Sequence, residues 1–124
     1  MAKYLVIGSK GTLGNEFRRI LGDQAIYLDR DQLDITLEES VLEKITELQP
    51  QIIINCAAYN AVDKAEQEPE VANLINGEAV GYIAKAAETI NATLIHYSTN
   101  YVFRGNSEAG YSEDSPTDPQ SEYG

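Results

Sequence analysis

Nothing in this sequence approaches the apolar run of about 18 residues that a membrane-spanning helix requires, so no membrane partner is expected. The stretch Tyr4-Leu5-Val6-Ile7 behind the N-terminus is too short for the core of a secretory signal. A single cysteine, Cys56, excludes an internal disulfide framework and fits a reducing compartment, so a cytoplasmic protein is expected. Positive charge is also scarce. Nine Lys and Arg stand against 20 Asp and Glu, for a net charge of −11. Such a surface repels phosphate backbones, which excludes nucleic acid as an expected partner. The basic residues are unevenly placed: Lys3, Lys10, Arg18 and Arg19 face only Glu16 in the first segment. An anionic ligand is therefore expected there. There is no internal repeat and no low-complexity tract, and 124 residues suffice for one domain with one core.

What is present alternates between strand and helix patterns. Tyr4-Leu5-Val6-Ile7 reads as a buried strand ended by Gly8. Residues 12–21 place Leu13, Phe17, Ile20 and Leu21 on one helical face, with Gly22 as the stop. Ala25-Ile26-Tyr27-Leu28 is a second strand. Thr36 and Glu39 have capping-box spacing, ahead of an apolar stripe of Val41, Leu42, Ile45 and Leu48 that Pro50 ends. Ile52-Ile53-Ile54 is a third strand, apolar on both faces. A long helix is predicted from Pro69 to Ile90, with Val71, Leu74, Ile75, Ile83, Ala86, Ala87 and Ile90 inward. Gly77 and Gly81 cost that helix about 1 kcal/mol each and are expected to permit close packing on the sheet. Thr93-Leu94-Ile95-His96-Tyr97 is a fourth strand. From Gly105 onward there are five acidic residues and no Lys or Arg, which predicts a long surface loop or tail. The fold class is α/β: a partial Rossmann-type, three-layer parallel sheet with strand order 3-2-1-4.

Chemistry concentrates at the strand ends. Gly8-Ser9-Lys10-Gly11-Thr12-Leu13-Gly14 is G-x-x-G-x-x-G between a strand and a helix. Gly8 permits the tight turn, Gly11 lets the backbone approach a pyrophosphate, and Gly14 brings helix and strand together. The helix end at Thr12 and Leu13 offers N–H donors to phosphates. Asp29 ends the second strand, where a carboxylate binds ribose hydroxyls and favours NAD. Arg30 follows, and a guanidinium there accepts the 2′-phosphate of NADP, so the cofactor is NADP or NAD. Asp34 and Ile35 border the expected adenine position. Ala57, Ala58 and Tyr59, after the third strand, leave room for a flat cofactor. Tyr97 stands at the end of the fourth strand, and Ser98 and Thr99 place hydroxyls where a carbonyl could be oriented.

These segments together resemble a known family. G-x-x-G-x-x-G, then N-C-A-A-Y-N-A-V-D-K-A-E, H-Y-S-T-N-Y-V-F-R-G and Y-S-E-D…P-x-x-x-Y-G resemble dTDP-4-dehydrorhamnose reductase, an extended short-chain dehydrogenase/reductase. The resemblance implies reduction of the 4-keto group of a dTDP-6-deoxy-hexulose with NADPH or NADH, giving dTDP-L-rhamnose. It implies Thr99 and Tyr123 as catalytic hydroxyls, and Thr99 and Asn100 as substrate contacts. The family has aspartate where Asn100 stands, and an acidic or apolar residue where Arg104 stands. The family's catalytic lysine falls four residues after Tyr123, past Gly124. Residues 1–124 are then expected to be the N-terminal part of a nucleotide-binding domain, with the substrate domain outside this chain and the chain alone inactive. A non-catalytic nucleotide-binding regulator on the same fold, or another nucleotide-sugar reductase or epimerase, are the alternatives.

No metal site is expected. His96 reads as a packed or edge histidine, Cys56 as a small buried residue, and Glu66, Glu68 and Glu70 as a solvated helix start. The fourth strand lacks the lysine or proline that protects sheet edges. The long helix is expected to leave apolar surface uncovered, so a homodimer or higher self-association is anticipated, with a mobile tail after Gly105.

Overall fold

A computed structural model describes residues 2–124. The order is β1 (Tyr4–Ile7), α1 (Thr12–Leu21), β2 (Ala25–Leu28), α2 (Glu38–Leu48), β3 (Ile52–Asn55), α3 (Val62–Ala65), α4 (Pro69–Asn73), α5 (Ala79–Thr89) and β4 (Thr93–His96). A π-helical turn, Leu74–Glu78, joins α4 to α5, and a 3-10 turn, Asn100–Val102, follows β4. All pairings are parallel. Among the described residues, no helix is long and apolar enough to cross a membrane.

The parallel sheet with helices on both faces is as expected, but its strand order is β2-β1-β3-β4 rather than 3-2-1-4. The helices explain the difference. A right-handed crossover puts its helix on one face when the chain steps one way along the sheet, and on the other face when it steps back. α1 packs over β1 and β2, whereas α2 packs against α5 on the opposite face. The chain therefore reverses at β2, crosses over β1, and lays β3 on its far side. Leu33 and Ile35, between β2 and α2, are buried in the core of that second face instead of forming a strand between them.

That face carries the main core: Leu5, Ile7, Val41, Ile45, Ile53 and Ile83 are all essentially inaccessible. Val6 and Ile54 point to the other face, under α1, with Phe17 and Leu21 packed on them. Both faces of β1 and β3 are thus covered, which accounts for their unbroken apolar sequence. The α1 side is thinner. Of the predicted α1 face, Leu13 is 40% and Ile20 65% exposed, because among the described residues no second helix stands beside α1. The apolar face of α5, expected to be partly bare, is instead closed by α2 and the sheet, with Ala79, Ile83, Ala86 and Ala87 buried. Exposed apolar surface lies on β4 and just beyond it, where Ile95 and Tyr97 are 40% and 47% accessible.

Three local expectations change. The capping box does not form: α2 starts at Glu38 without a side-chain cap. The Thr36 hydroxyl donates to Asp34 Oδ1 at 2.6 Å, and the Thr36 N–H donates to the same atom. Gly77 and Gly81 are exposed and would meet nothing with an added Cβ, so they serve no close approach. The segment after Gly105 has no helix or strand but is tied down. Phe103 stacks on Tyr111 at 4.5 Å, Arg104 pairs with Asp118 at 3.0 Å, and the Glu122 N–H donates to Glu66 Oε1. Arg104 thereby neutralises one acid of a stretch that has no cation of its own.

Candidate functional site

The C-terminal ends of the four parallel strands open onto a crevice, the place where α/β sheets hold ligands. Two cavities of about 400 and 480 Å³ form it and share Gly11, Cys56, Ala57, Ala58 and Asn60.

The glycine loop sits at their junction. Gly8 has φ +79°, and a Cβ there would meet the backbone nitrogen of Ala57 at 2.5 Å. A Cβ on Gly14 would collide with the Gly8 carbonyl oxygen and lie 2.8 Å from Ser9 Cα. Gly8 and Gly14 therefore serve the packing of β1, α1 and β3. Gly11 differs: its backbone is extended (φ −72°, ψ 172°), and the nearest atom to an added Cβ would be 3.6 Å away. The protein itself has room for a side chain at Gly11, so the bare backbone there clears the crevice. Gly11 is the N-cap of α1, whose first turn holds no acidic residue. Thr12 and Leu13 line the second cavity beside it, and the first N–H groups of a helix have no partner within it.

In the first cavity Asp29 is engaged on both oxygens. The N–H groups of Asp31 and Gln32 donate to Oδ1 at 2.9 and 3.2 Å, and the ammonium of Lys10 lies 2.7 Å from Oδ2. The Lys10 hydrogen bond is the main cause that holds this carboxyl below its ordinary pKa, and Asp29 in turn raises that of Lys10. Thr36 likewise lowers the pKa of Asp34. Arg30, Asp34 and Ile35 line the same cavity, with Leu33, Leu74 and Ile75 as apolar wall.

The second cavity brings Tyr97, Thr99 and Tyr123 together with Leu13, His96 and Asn76. Thr99 Oγ1 accepts the Tyr101 N–H at 3.2 Å, capping the 3-10 turn, and its own hydroxyl donates to Asn100 Oδ1 at 3.5 Å. Tyr123 packs edge-on against Tyr101 at 5.3 Å, and its hydroxyl is 3.5 Å from Asn60 Oδ1. Besides Gly14, two predicted residues lie elsewhere. Asn100 lines neither cavity, and Tyr59 turns its hydroxyl away to Glu68 at 2.8 Å. Burial, then Glu68, raises the pKa of that phenol.

Asn76 is a site residue that sequence reasoning passed over. It lies in the π-helical turn, which inserts one extra residue per turn and re-aims a side chain. Its amide donates to the Tyr59 carbonyl at 3.0 Å and accepts the Tyr59 N–H at 2.8 Å. The loop that walls the crevice after β3 is thereby fastened to the helix layer. The only available signal was an asparagine and a glycine inside an otherwise helical pattern. Among the described residues, no group of three or more His, Cys, Asp or Glu is placed to hold a metal ion.

Known proteins share this arrangement. The family model described as "RmlD substrate binding domain" matches residues 2–124. A dTDP-4-dehydrorhamnose reductase of Streptomyces griseus is 41% identical over 98% of this chain and 41% of its own length. A probable dTDP-4,6-dihydroxy-2-methyloxan-3-one 4-ketoreductase of Streptomyces antibioticus is 40% identical over 98% of this chain and 43% of its own. The structure of dTDP-4-dehydrorhamnose reductase from Bacillus anthracis in complex with NADP superimposes with TM-score 0.95 at 34% identity, covering 99% of this chain and 45% of that one. The chain thus spans less than half the length of these relatives. With the strand–glycine loop–helix crevice in place and the family model matching from end to end of the described residues, this chain belongs to the RmlD substrate binding domain family.

Proposed function

We propose that this chain is the dinucleotide-binding part of an NAD(P)H-dependent reductase that acts on the 4-keto group of a dTDP-bound deoxy-sugar. The observation that carries the reading is the crevice at Gly11: a helix N-terminus without acidic residues faces it, and no protein atom needs the space an added Cβ would take. The pyrophosphate fits there, with the adenosine in the cavity of Asp29, Asp34 and Ile35 and the nicotinamide in that of Tyr97, Thr99 and Tyr123.

Two relatives at nearly equal identity are named for different sugars. The substrate class is therefore a dTDP-linked 4-keto-6-deoxy-hexose, and dTDP-L-rhamnose is the product that the larger group of relatives favours. Lys10 adds weight to NADPH. It neutralises the Asp29 carboxylate that would otherwise repel a 2′-phosphate, and Arg30 lines the same cavity.

When bound, the reduced nicotinamide supplies a hydride. The chain's own residues orient the ketone and handle its proton. Thr99, its oxygen already accepting the Tyr101 N–H, turns its hydroxyl from Asn100 Oδ1 to the ketone oxygen. Tyr123, steadied by Tyr101, delivers the proton there. Free tyrosine has a pKa near about 10, and among the described residues no lysine is hydrogen-bonded to Tyr123. The chain alone is thus expected to bind cofactor and not to turn over. Calorimetric titration with NADPH tests the binding half. Assay of the dTDP-keto-sugar with Tyr123→Phe as control tests the other, and turnover by the 124-residue chain that this variant abolishes would contradict it.

A further inference from the structure

His96, the sole histidine of the chain, sits in β4 directly across from Asn55 in the register of β3. The Asn55 side chain is 1% exposed. Its Oδ1 accepts the N–H of Ala57 at 3.1 Å, and its Nδ2 lies 3.2 Å from His96 Nδ1. An N–H can only face an acceptor, so Ala57 fixes which way the amide points. Nδ2 then faces His96 as a donor, and the ring nitrogen opposite must be bare. The ring is therefore neutral, with its proton on Nε2.

We propose that His96 is a positioning residue: its unprotonated Nδ1 holds the Asn55 amide, which in turn holds the Ala57 N–H and with it the crevice wall against the glycine loop. The inference rests on the cofactor reading only where affinity is concerned. A proton on Nδ1 would set two donors against each other. Asn55, itself buried, would have to turn over, presenting its amide hydrogens to the Ala57 N–H. Ala57 has little freedom to adapt, since its backbone nitrogen lies hard against Gly8.

The surroundings keep the ring neutral. The titratable groups on the elements around it are Cys56, Tyr97 and Tyr123 at the crevice and Tyr82, Lys85 and Glu88 on α5. Lys85 is engaged by Glu38 at 2.8 Å and Tyr82 donates to Glu78. Partial desolvation against β3 lowers the ring below its ordinary pKa of 6.5. A base whose folded pKa is depressed contributes stability that is present above 6.5 and is lost as pH falls through the folded value. Wall and fold therefore loosen together on acidification.

Long-range 15N correlation spectra of the ring give the tautomer, and the Ala57 amide shift gives the coupling; neither needs cofactor. The expected result is an Nε2–H ring at neutral pH and an Ala57 amide that moves with the histidine's own midpoint, below 6.5. NADPH affinity should fall about tenfold across that midpoint, the equivalent of one lost charge-sensitive hydrogen bond. His96→Asn, which keeps an acceptor towards Asn55 but cannot titrate, should retain the Ala57 shift and bind independently of pH over the same range. A ring protonated on Nδ1 at neutral pH, an Ala57 amide indifferent to the titration, or an unchanged pH profile in His96→Asn overturns the proposal. Coupled Ala57 and His96 shifts with no NADPH binding at all would support the positioning role and sink the cofactor reading.

Discussion

The ammonium of Lys10 lies 2.7 Å from Oδ2 of Asp29, joining the glycine loop to the end of β2. The pair spans the proposed ribose position, and each partner stabilises the charge of the other. Asp29's share is present above its ordinary pKa of 3.8 and is lost as pH falls through the lowered value. Lys10's share is present below 10.5 and is lost as pH rises through the raised value. The pair is therefore intact throughout the neutral range. Lys10 is 73% exposed, free to extend towards a ligand phosphate. Lys10→Ala should weaken 2′,5′-ADP about tenfold, a typical loss for one charge-assisted hydrogen bond, and should change ADP affinity far less. Calorimetry with both ligands reads the difference. An equal loss for the two would mean that Lys10 does not recognise the 2′-phosphate.

Asn76 should matter to stability before it matters to binding. Asn76→Ala leaves the Tyr59 N–H and C=O without their partners. A cost of about 1–3 kcal/mol is expected for such stranded, half-buried groups. Asn76→Asp keeps the acceptor for the Tyr59 N–H and loses only the donor to its carbonyl, so it should cost less than the alanine. Denaturant unfolding orders the three proteins, and an aspartate variant less stable than the alanine variant would contradict the assigned roles.

Much of this was legible in the sequence because it is local. A strand, a glycine loop and an amphipathic helix in succession specify the loop's geometry, and the positive φ of Gly8 follows from that succession. Four apolar strand segments alternating with helices gave the sheet and its parallel sense. The strand order was not legible, since it depends on the face to which α2 returns, and the stripe of Val41 and Ile45 buries equally well on either face. Leu33 and Ile35 look like loop residues until the reversal at β2 places them in the core. Thr36 has the spacing of a cap, yet its hydroxyl donates to Asp34 two residues earlier and accepts no N–H from the first turn of α2. Asn76 and the Asn55–His96 pair were hidden for a different reason: their partners lie 17 and 41 residues away.

The fourth strand should drive self-association. Among the described residues its outer edge has no partner strand, and Ile95, with Tyr97 just beyond the strand, adds exposed apolar surface there. The charge of −11 opposes contact, but physiological salt screens exposed charges beyond about 8 Å. Light scattering at rising concentration should therefore show mass above 13.6 kDa, and Ile95→Lys, which charges the edge, should reduce it. A constant monomer mass would show that this edge is protected in solution.

The glycines separate architecture from ligand binding. Gly14→Ala forces a Cβ against the Gly8 carbonyl oxygen and Ser9 Cα, so it should lower stability by about 1–3 kcal/mol, as overpacking does. Gly11→Val meets no such obstacle and has a backbone conformation that valine adopts. Its only structural cost is a poorer helix N-cap, about 1 kcal/mol or less. The most direct measurement is therefore a calorimetric titration of the chain and of its Gly11→Val variant with NADPH up to millimolar concentration, beside a thermal melt of each. The account predicts one weak site in the chain, none in the variant, and a cooperative melt in both. No binding by the chain at millimolar NADPH, or equal binding by the folded variant, would contradict it.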